Sequence, residues 1–237
     1  MKSWIEVQQE IMKRGGSDEL RRECIRKVEE ITGRPLIVYA TDFTNNEKVQ
    51  AAAGEVTIDS RDKIAFHDVI TGIEGNDLDV LIHSPGGSAE AAEAIIDLLR
   101  SKYSSLRFII PDQAKSAATM MCCAADQLLM DEKSELGPID PQMIIVRGDK
   151  QLIRAPAQAI IDQFELARKS ISENPSNLPV WLPIIQTLGP SLLMECENAD
   201  RLSRELVRSW LERYMFRENG DKTEKSKGCV PFELKMS

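Results

Sequence analysis

A short apolar strand that runs directly into a glycine turn and a helix constrains this chain more than any other feature. Residues 80–82 form an apolar run, residues 84–88 read Ser-Pro-Gly-Gly-Ser, and an Ala-rich helical segment continues to Arg100. Gly86 and Gly87 allow backbone conformations that are closed to other residues, and the helix start presents N–H groups and the positive end of its dipole. The turn therefore predicts a cradle for an oxyanion or another anion.

The same arrangement of strand, turn and helix is repeated further along the chain. Residues 106–110 have the pattern of a second short strand, and Ser116 opens a helix of small residues at 117–125. A serine held at such a turn projects toward a space where a substrate can meet it. Serine is also a favoured N-cap residue, so the local sequence supports a nucleophile and a simple helix cap equally.

Strand and helix patterns alternate through the centre of the chain, which implies βαβ crossovers and an α/β fold with a mostly parallel sheet. Strands are predicted at 36–40, 80–82, 106–110 and 128–130, with a hairpin at 144–153. Helices are predicted as a pair between 3 and 32 and at 60–73, 88–100, 117–125, 156–171 and 198–216. Residues 41–59 and 175–190 are predicted as connections, and the apolar stripe of helix 60–73 is predicted to contain Ile64, Val69, Ile70 and Ile73.

Composition and charge restrict the classes of function. The chain has 237 residues and a formal net charge of −8, which argues against nucleic acid as the main partner. Its five cysteines are odd in number and lack zinc-like spacing, which predicts free thiols in a reducing, cytoplasmic compartment. The N-terminus lacks an apolar core of signal-peptide length, and no apolar run approaches the ~20 residues that cross a bilayer, so no transmembrane segment is expected.

Three landmarks together resemble one class of serine peptidases. They are Ser-Pro-Gly-Gly at 84–87, Ser-Ala-Ala-Thr at 116–119 and Leu-Gly-Pro-Ile-Asp-Pro-Gln at 136–142. The combination is similar to the Clp-protease and signal-peptide-peptidase class, whose Clp/crotonase fold is a repeated ββα spiral. Within that class it resembles the prokaryotic serine dehydrogenase proteinase family, roughly over residues 34–210.

The resemblance implies a domain organisation and a set of partners. A peptidase domain is expected at 34–218, flanked by an N-terminal helical extension at 1–33 and a polar tail at 219–237. Proteins of this fold typically form rings or trimer-based assemblies, so a homo-oligomer that acts on a peptide or protein substrate is expected. Members of the family often have a membrane segment ahead of the peptidase domain, and this sequence departs from that pattern.

The resemblance also implies roles for the residues of the two turns. Ser116 matches the nucleophile of the family by its position in the Ser-Ala-Ala-Thr segment. Backbone N–H groups at Gly86, Gly87 and Ala117 are the expected donors of an oxyanion hole, which stabilises the tetrahedral intermediate of acyl transfer. The alternative for the two glycines is that they only permit tight packing.

The general base is less well defined by the sequence. The turn at 134–142, where the Clp proteolytic subunit has its triad histidine, contains no histidine, which disfavours a Ser-His-Asp triad. The chain has two histidines. His83 lies at a strand end and is a candidate base, although a histidine in such a position more often has a structural role. His67 is expected to be packed or on the surface.

Signal peptide peptidases use a lysine as the base, because a lysine screened from water loses part of its preference for the charged form. Lys169 matches that lysine best by position, Lys133 is the second choice, and Lys115 is the third because neighbouring residues usually point apart. A solvated helix face explains Lys169 equally well. Asp140 falls near the turn that forms the binding cleft in the family. It either takes part in the chemistry or orders that loop.

The expected function is a serine endopeptidase that works through an acyl-enzyme, with Ser116 as nucleophile and a lysine as base. Two alternatives stay open: a crotonase-like acyl-CoA enzyme, and a catalytically degenerate scaffold subunit. No Walker motif and no cluster with metal-ligand spacing is present, so neither a nucleotide nor a metal cofactor is expected. Any ATP-driven unfolding of substrates would come from a separate chain.

Overall fold

The computed structural model describes residues 3–52, 55–146, 152–186 and 191–217. Its helices are α1 (Trp4–Lys13), α2 (Asp18–Thr32), α3 (Asn46–Ala51), α4 (Ser60–Thr71), α5 (Ala89–Lys102), α6 (Ala117–Cys123), α7 (Ala157–Glu173), α8 (Leu178–Ile185) and α9 (Leu192–Trp210). Its strands are β1 (Leu36–Ala40), β2 (Asp77–His83), β3 (Ser105–Ile110), β4 (Gln113–Ala114), β5 (Gln127–Met130), β6 (Glu135–Leu136), β7 (Gln142–Val146) and β8 (Leu152–Pro156). A 3₁₀ turn, Pro175–Asn177, precedes α8, and a π-helical turn, Leu211–Met215, follows α9.

A four-stranded sheet in the order β1-β2-β3-β5 forms the centre of the fold, and all of its pairings are parallel. Parallel neighbours require crossover connections, and α5 and α6 provide them on either side of β3. Leu78, Val80 and Ile82 of β2 are fully buried, as expected for a strand inside a parallel sheet. The predicted α/β fold with a mostly parallel sheet is therefore confirmed.

The hydrophobic core lies between this sheet and the helices α4, α5, α6 and α9. Its largest fully buried side chains include Ile95, Ile96, Leu99, Leu106 and Phe108, and Trp210 closes the core from α9. A smaller second cluster joins α7 to α9 through Ala157, Ile160, Leu192 and Cys196. Burying a large apolar side chain contributes about 1.5–3 kcal/mol, so the core fixes these helices against the sheet.

Two minor sheets extend the fold. Strands β4 and β6 pair in parallel, and β7 and β8 form the predicted antiparallel hairpin. The turn of that hairpin, 147–150, lies outside the described residues. Isolated bridges join Ser84 to Ala114 and Ile58 to Gly87, so the end of β2 is attached to β4 and to the segment before α4.

The buried face of α4 differs from the predicted stripe. Phe66 and Ile70 are buried, whereas Ile64 and Val69 are 67% and 56% exposed. Residues four apart lie on the same side of a helix, and the 66/70 pair is the one that meets the core. The apolar pattern therefore predicted the helix correctly and two of its core positions wrongly.

Two helices occur where connections were predicted. Helix α3 lies within 41–59, and α8 lies within 175–190. Proline is tolerated in the first turn of a helix because the N–H that it lacks has no partner there, and α8 carries a proline in that turn and Pro183 inside. Proline in the sequence was therefore a misleading sign of an irregular connection.

Helix α9 begins at Leu192, six residues before the predicted cap at Asn198. Leu192 and Cys196 are buried against α7, so packing stabilises the extra turns. Asn198 lies inside the helix, where its side chain accepts a hydrogen bond from Arg201 at 3.1 Å.

The two N-terminal helices are confirmed and are peripheral. No residue of α2 is buried, and the helix is attached to the sheet by a hydrogen bond from the Leu36 N–H to Glu29 Oε1 at 3.0 Å. The predicted tail at 219–237, which contains Cys229, lies outside the described residues. Within the described ranges, no helix is long and apolar enough to cross a bilayer.

Candidate active site

Ser116 lies between β4 and α6 in a strained backbone conformation, with φ 50° and ψ −122°. It is the only residue other than glycine with a positive φ in the described part of the chain. Such a conformation costs about 1–3 kcal/mol and persists only where the surrounding structure enforces it. The Ser116 side chain makes no capping hydrogen bond to α6, so the alternative of a simple N-cap does not account for this serine.

Backbone hydrogen bonds hold Ser116 in place. Its N–H donates to the carbonyl of Pro138 at 3.2 Å, and its own carbonyl accepts from the Met120 N–H at 3.0 Å. The buried hydroxyl of Thr119 lies 2.8 Å from the Ala114 carbonyl oxygen and 3.1 Å from that of Gly137. Thr119 was not singled out from the sequence, although a polar side chain within an otherwise apolar stretch of helix was the available signal.

Gly86 packs directly against the turn that contains Ser116. Its φ is 91°, and a β-carbon at this position would lie 2.7 Å from the Ser116 β-carbon and 2.8 Å from the Ala117 nitrogen. Gly87 packs in the same way against Ile58, whose nitrogen would lie 2.5 Å from a β-carbon on Gly87. Both glycines are therefore required for close backbone approach.

The pattern of hydrogen bonds leaves two N–H groups open beside Ser116. The Gly86 carbonyl and the Ser88 N–H are both bonded to Ile58, at 2.8 and 2.9 Å. Within the described ranges, the N–H groups of Gly87 and Ala117 have no hydrogen-bond acceptor. The Gly86 N–H differs from the expectation, because it donates to Ser84 Oγ at 3.2 Å.

A cleft of about 420 Å³ opens over these groups. Gly87, Ser116 and Ala117 line one wall, and residues of the loop that follows Pro138 line a second. The structure thus brings together four of the residues singled out from the sequence, namely Gly87, Ser116, Ala117 and Asp140.

Helix α9 forms the opposite wall of the cleft, which sequence reasoning missed. The side chains involved recur at helical spacing, three or four residues apart, and are Glu195, Asn198, Ala199, Leu202 and Ser203. That spacing was a visible signal, although the side of the helix that meets the cleft is set by tertiary packing.

The structure does not bring the candidate bases to this cleft. Lys169 is exposed on α7 and lines a separate surface depression together with Asp162 and Glu165. A helix turns by about 100° per residue, so Lys169 lies on the side of α7 opposite the buried Ala167. Lys133 is exposed in the turn between β5 and β6.

The two remaining candidates have other partners. Lys115 Nζ forms an ion pair with Glu135 Oε2 at 2.5 Å. His83 Nδ1 accepts a hydrogen bond from the Gln113 N–H at 3.4 Å, and its ring lies 4.8 Å from that of Phe43. Among the described residues that line the cleft, none is a lysine, an arginine or a histidine.

Asp140 lies on the loop wall of the cleft. Burial raises the pKa of its carboxyl group, and the negative charge of Asp200 raises it further. The Gln142 amide donates to the Asp140 carbonyl at 3.3 Å, so this residue also contributes to the order of the loop.

A match to a known protein family identifies the class of protein to which this chain belongs. Residues 5–174 match the model of a family described as ClpP-like SDH-type serine proteinases. Because the match spans more than half of the 237 residues, the chain belongs to that family. The Clp/crotonase fold expected from the sequence is thereby confirmed.

Two curated relatives are uncharacterized proteins of Methanocaldococcus jannaschii. One is 42% identical over 66 residues, which are 28% of this chain and 23% of the relative. The other is 30% identical over 158 residues, which are 65% of this chain and 49% of the relative. The chain thus spans half or less of the length of these relatives.

Three solved structures of proteases are among the similar proteins. A variant of the membrane-bound stomatin-specific protease 1510-N in complex with a substrate peptide is 23% identical, with a TM-score of 0.37 over 48% of this chain and 56% of that chain. The ClpP catalytic domain of Plasmodium falciparum is 19% identical, with a TM-score of 0.29 over 43% and 49%. A ClpP1 variant of Listeria monocytogenes is 15% identical, with a TM-score of 0.33 over 74% and 75%.

Proposed function

We propose that this protein is a serine peptidase in which Ser116 attacks the carbonyl carbon of a peptide bond. The observation that carries the proposal is the strained backbone of Ser116, which lies in a cleft beside two unpartnered N–H groups. Membership in a family of serine proteinases supports the same chemistry. The strain is consistent with a residue whose position matters more than its local stability.

The proposed reaction follows acyl transfer. The Ser116 oxygen bonds to the carbonyl carbon while its proton passes to a base, and the oxyanion accepts hydrogen bonds from the Gly87 and Ala117 N–H groups. The C–N bond then breaks, and the leaving amine takes the proton from the base. Water hydrolyses the acyl-enzyme by the reverse path. Each oxyanion donor typically stabilises the transition state by about 3–4 kcal/mol.

A lysine from a second copy of the chain is the proposed base. Lys169 stays the first candidate and Lys133 the second, since both are exposed on the single chain and available to a neighbouring subunit. An interface that excludes water would favour the neutral form of such a lysine. The active assembly is therefore proposed to be a homo-oligomer whose site is shared between subunits.

Intact mass after incubation with a fluorophosphonate tests the nucleophile. We expect one adduct on the wild type and none on Ser116→Ala. Ser101→Ala, which removes an exposed serine of α5, is the matched control and is expected to be labelled like the wild type. Labelling of Ser116→Ala at the wild-type rate would contradict the proposal.

A complementation experiment tests the shared site. Ser116→Ala and Lys169→Ala are each expected to be inactive, and subunits of the two variants are dissociated, mixed and reassembled. Mixed oligomers combine an intact Ser116 from one copy with an intact Lys169 from the other, so peptidase activity should return. Absence of recovery in mixed oligomers of verified composition would contradict a base supplied by a second copy. The same mixture with Lys133→Ala examines the second candidate.

Exposed apolar side chains on α8 support a subunit contact. Leu178, Val180 and Leu182 are 45%, 71% and 43% exposed, which is unusual for three apolar residues of one short helix. Val180→Glu is expected to reduce the mass of the assembly in analytical ultracentrifugation. Ile31→Glu on α2, where the wild-type side chain is 84% exposed, is the control and should leave the mass unchanged.

The proposed compartment is the cytoplasm. Cys24, Cys122, Cys123 and Cys196 are all free thiols, as is usual where glutathione and thioredoxin keep cysteines reduced. A peptide or protein is the proposed substrate, and any unfolding of that substrate by ATP hydrolysis is assigned to a separate chain.

A catalytically degenerate scaffold subunit is the second candidate function. The observation that favours it is the lack of a described lysine or histidine in the cleft. A folded, assembled oligomer that neither reacts with the fluorophosphonate nor hydrolyses peptides would support the scaffold over the peptidase.

A further inference from the structure

Three carboxylates line the cleft that contains Ser116. Glu90 lies in the first turn of α5, Asp140 on the loop, and Glu195 on α9. Glu90 accepts a hydrogen bond from the Ser88 hydroxyl at 2.7 Å, and Glu195 accepts one from the Ser191 hydroxyl at 2.6 Å. The two serine hydroxyls carry no positive charge that would offset the charge of the carboxylates.

No described cation neutralises this cluster. The ion-paired lysines and arginines of the described ranges bind other acids, such as Glu135 for Lys115 and Asp200 for Arg204. The described residues that line the cleft contribute no lysine or arginine. The described residues that line the cleft therefore carry a net negative charge.

Asp140 is the carboxylate tied most directly to the nucleophile. It follows Pro138 by two residues, and the Pro138 carbonyl accepts the hydrogen bond from the Ser116 N–H. Asp140 is also partly buried, and charges that are partly buried are screened less by salt than charges on the open surface. Salt would therefore screen an ion pair of Asp140 with a bound cation less than a pair of the exposed Glu90 or Glu195.

A second observation points to a ligand at the same place. Ser203 on α9 is 2% exposed and lines the cleft, and its hydroxyl has no hydrogen-bond partner among the described residues. The Ser203 hydroxyl is therefore available to a polar group of a bound peptide.

We infer that the cleft selects peptides with a lysine or arginine side chain near the cleaved bond, bound by Asp140 and Glu195. The inference rests on the proposed peptidase function and names the class of substrate for it. Complementary charge across an interface favours the matched partner and repels one of like charge. Peptides with an acidic side chain at the same position are thus rejected.

Matched peptides test the inference. Three internally quenched peptides differ at one position beside the cleaved bond, which is lysine, norleucine or glutamate. We expect kcat/KM to fall in that order, with about a tenfold range between lysine and glutamate, since a partly screened ion pair changes affinity by factors of this size. The difference in kcat/KM between the lysine and the glutamate peptide should become smaller as salt is raised from about 0.05 M to about 0.5 M, because salt shortens the Debye length.

Charge variants assign the preference to the two carboxylates. Asp140→Asn and Glu195→Gln should each reduce the ratio of kcat/KM between the lysine and the glutamate peptide several-fold. Glu195→Lys should reverse the preference, so that the glutamate peptide is cleaved faster. Glu197→Gln is the matched control, because Glu197 is exposed on the same helix and does not line the cleft. Unchanged thermal unfolding and assembly mass show that the variants are folded.

The outcomes separate this inference from the proposed function. If the fluorophosphonate labels Ser116 and all three peptides are cleaved equally, the inference is overturned and the peptidase stands. If the preference for lysine survives both neutral variants, the assignment to Asp140 and Glu195 is overturned. If the assembled wild type is neither labelled nor active on any peptide, the proposed function is contradicted, and the inference with it.

Discussion

Gly86 and Ser116 approach so closely that a β-carbon on Gly86 would lie 2.7 Å from the β-carbon of Ser116. The contact joins the turn after β2 to the turn before α6, two segments that are 30 residues apart in the chain. It fixes where the Gly87 N–H lies relative to the serine. The strained serine and the open N–H groups are thus consequences of one packing arrangement.

Replacing Gly86 by alanine should disrupt this arrangement. Its φ of 91° is unfavourable for alanine, and the new β-carbon would collide with backbone atoms of the Ser116 turn. We expect a loss of about 2–4 kcal/mol in the free energy of unfolding, measured in urea, and little labelling by the fluorophosphonate.

Gly75→Ala is the matched control for that experiment. Gly75 has a similar φ of 102°, but no atom lies within 4 Å of the position that a β-carbon would take there. Its substitution should cost only about 1 kcal/mol and preserve labelling. Equal losses for the two variants would show that the close contact between Gly86 and Ser116 is not important.

The strain at Ser116 predicts an unusual effect on stability. Alanine at this position keeps the unfavourable φ of 50°, whereas glycine adopts that conformation readily. Ser116→Gly should therefore be more stable than Ser116→Ala by about 1 kcal/mol in urea unfolding. Both variants should lack the fluorophosphonate adduct. A glycine variant less stable than the alanine variant would argue against strain.

Thr119 is predicted to position the nucleophile without touching the substrate. Thr119→Val keeps the shape of the side chain and removes the hydroxyl that bonds to the Ala114 and Gly137 carbonyls. We expect a loss of about 1–3 kcal/mol in stability, a lower kcat and a nearly unchanged KM.

Thr119→Ser separates that positioning role from simple packing. The serine variant keeps the hydroxyl and loses a methyl group, so most of kcat should return. If the valine variant is more active than the serine variant, packing by the methyl group matters more than the hydrogen bonds.

The reactivity of the cysteines should follow their burial. Burial raises the pKa of the Cys123 thiol to about 12 and raises the pKa values of Cys122 and Cys196. Thiolate is the reactive form, and at pH 8 only about 1 in 10⁴ of a thiol with a pKa near 12 is ionised. Among the four cysteines that the structure describes, the exposed Cys24 should therefore react with iodoacetamide first, as measured by peptide mapping.

Alkylation in guanidinium chloride is the control for the thiols. Unfolding removes the burial, so Cys122, Cys123 and Cys196 should then react at rates similar to that of Cys24. Native-state alkylation of Cys122 as fast as that of Cys24 would contradict the buried positions.

Local patterns in the sequence were sufficient for the scaffold of the site. Apolar runs of strand length predicted the four strands of the central sheet, and β1 was predicted to the residue. The short parallel pair of β4 and β6 was not predicted. The Ser-Pro-Gly-Gly turn and the position of Ser116 at the start of a helix were predicted, because a few adjacent residues encode where glycine is required and where a turn lies. These features depend on neighbours along the chain.

The tertiary structure alone decided which side chains meet. Periodicity predicted α4 but not that Phe66 and Ile70, rather than Ile64 and Val69, face the core. Helix α9 became a wall of the cleft, and Lys169 came to lie away from it. The physical reason is that the rotation of a helix about its axis is set by the packing of its buried face against distant elements, which no local stretch of sequence specifies.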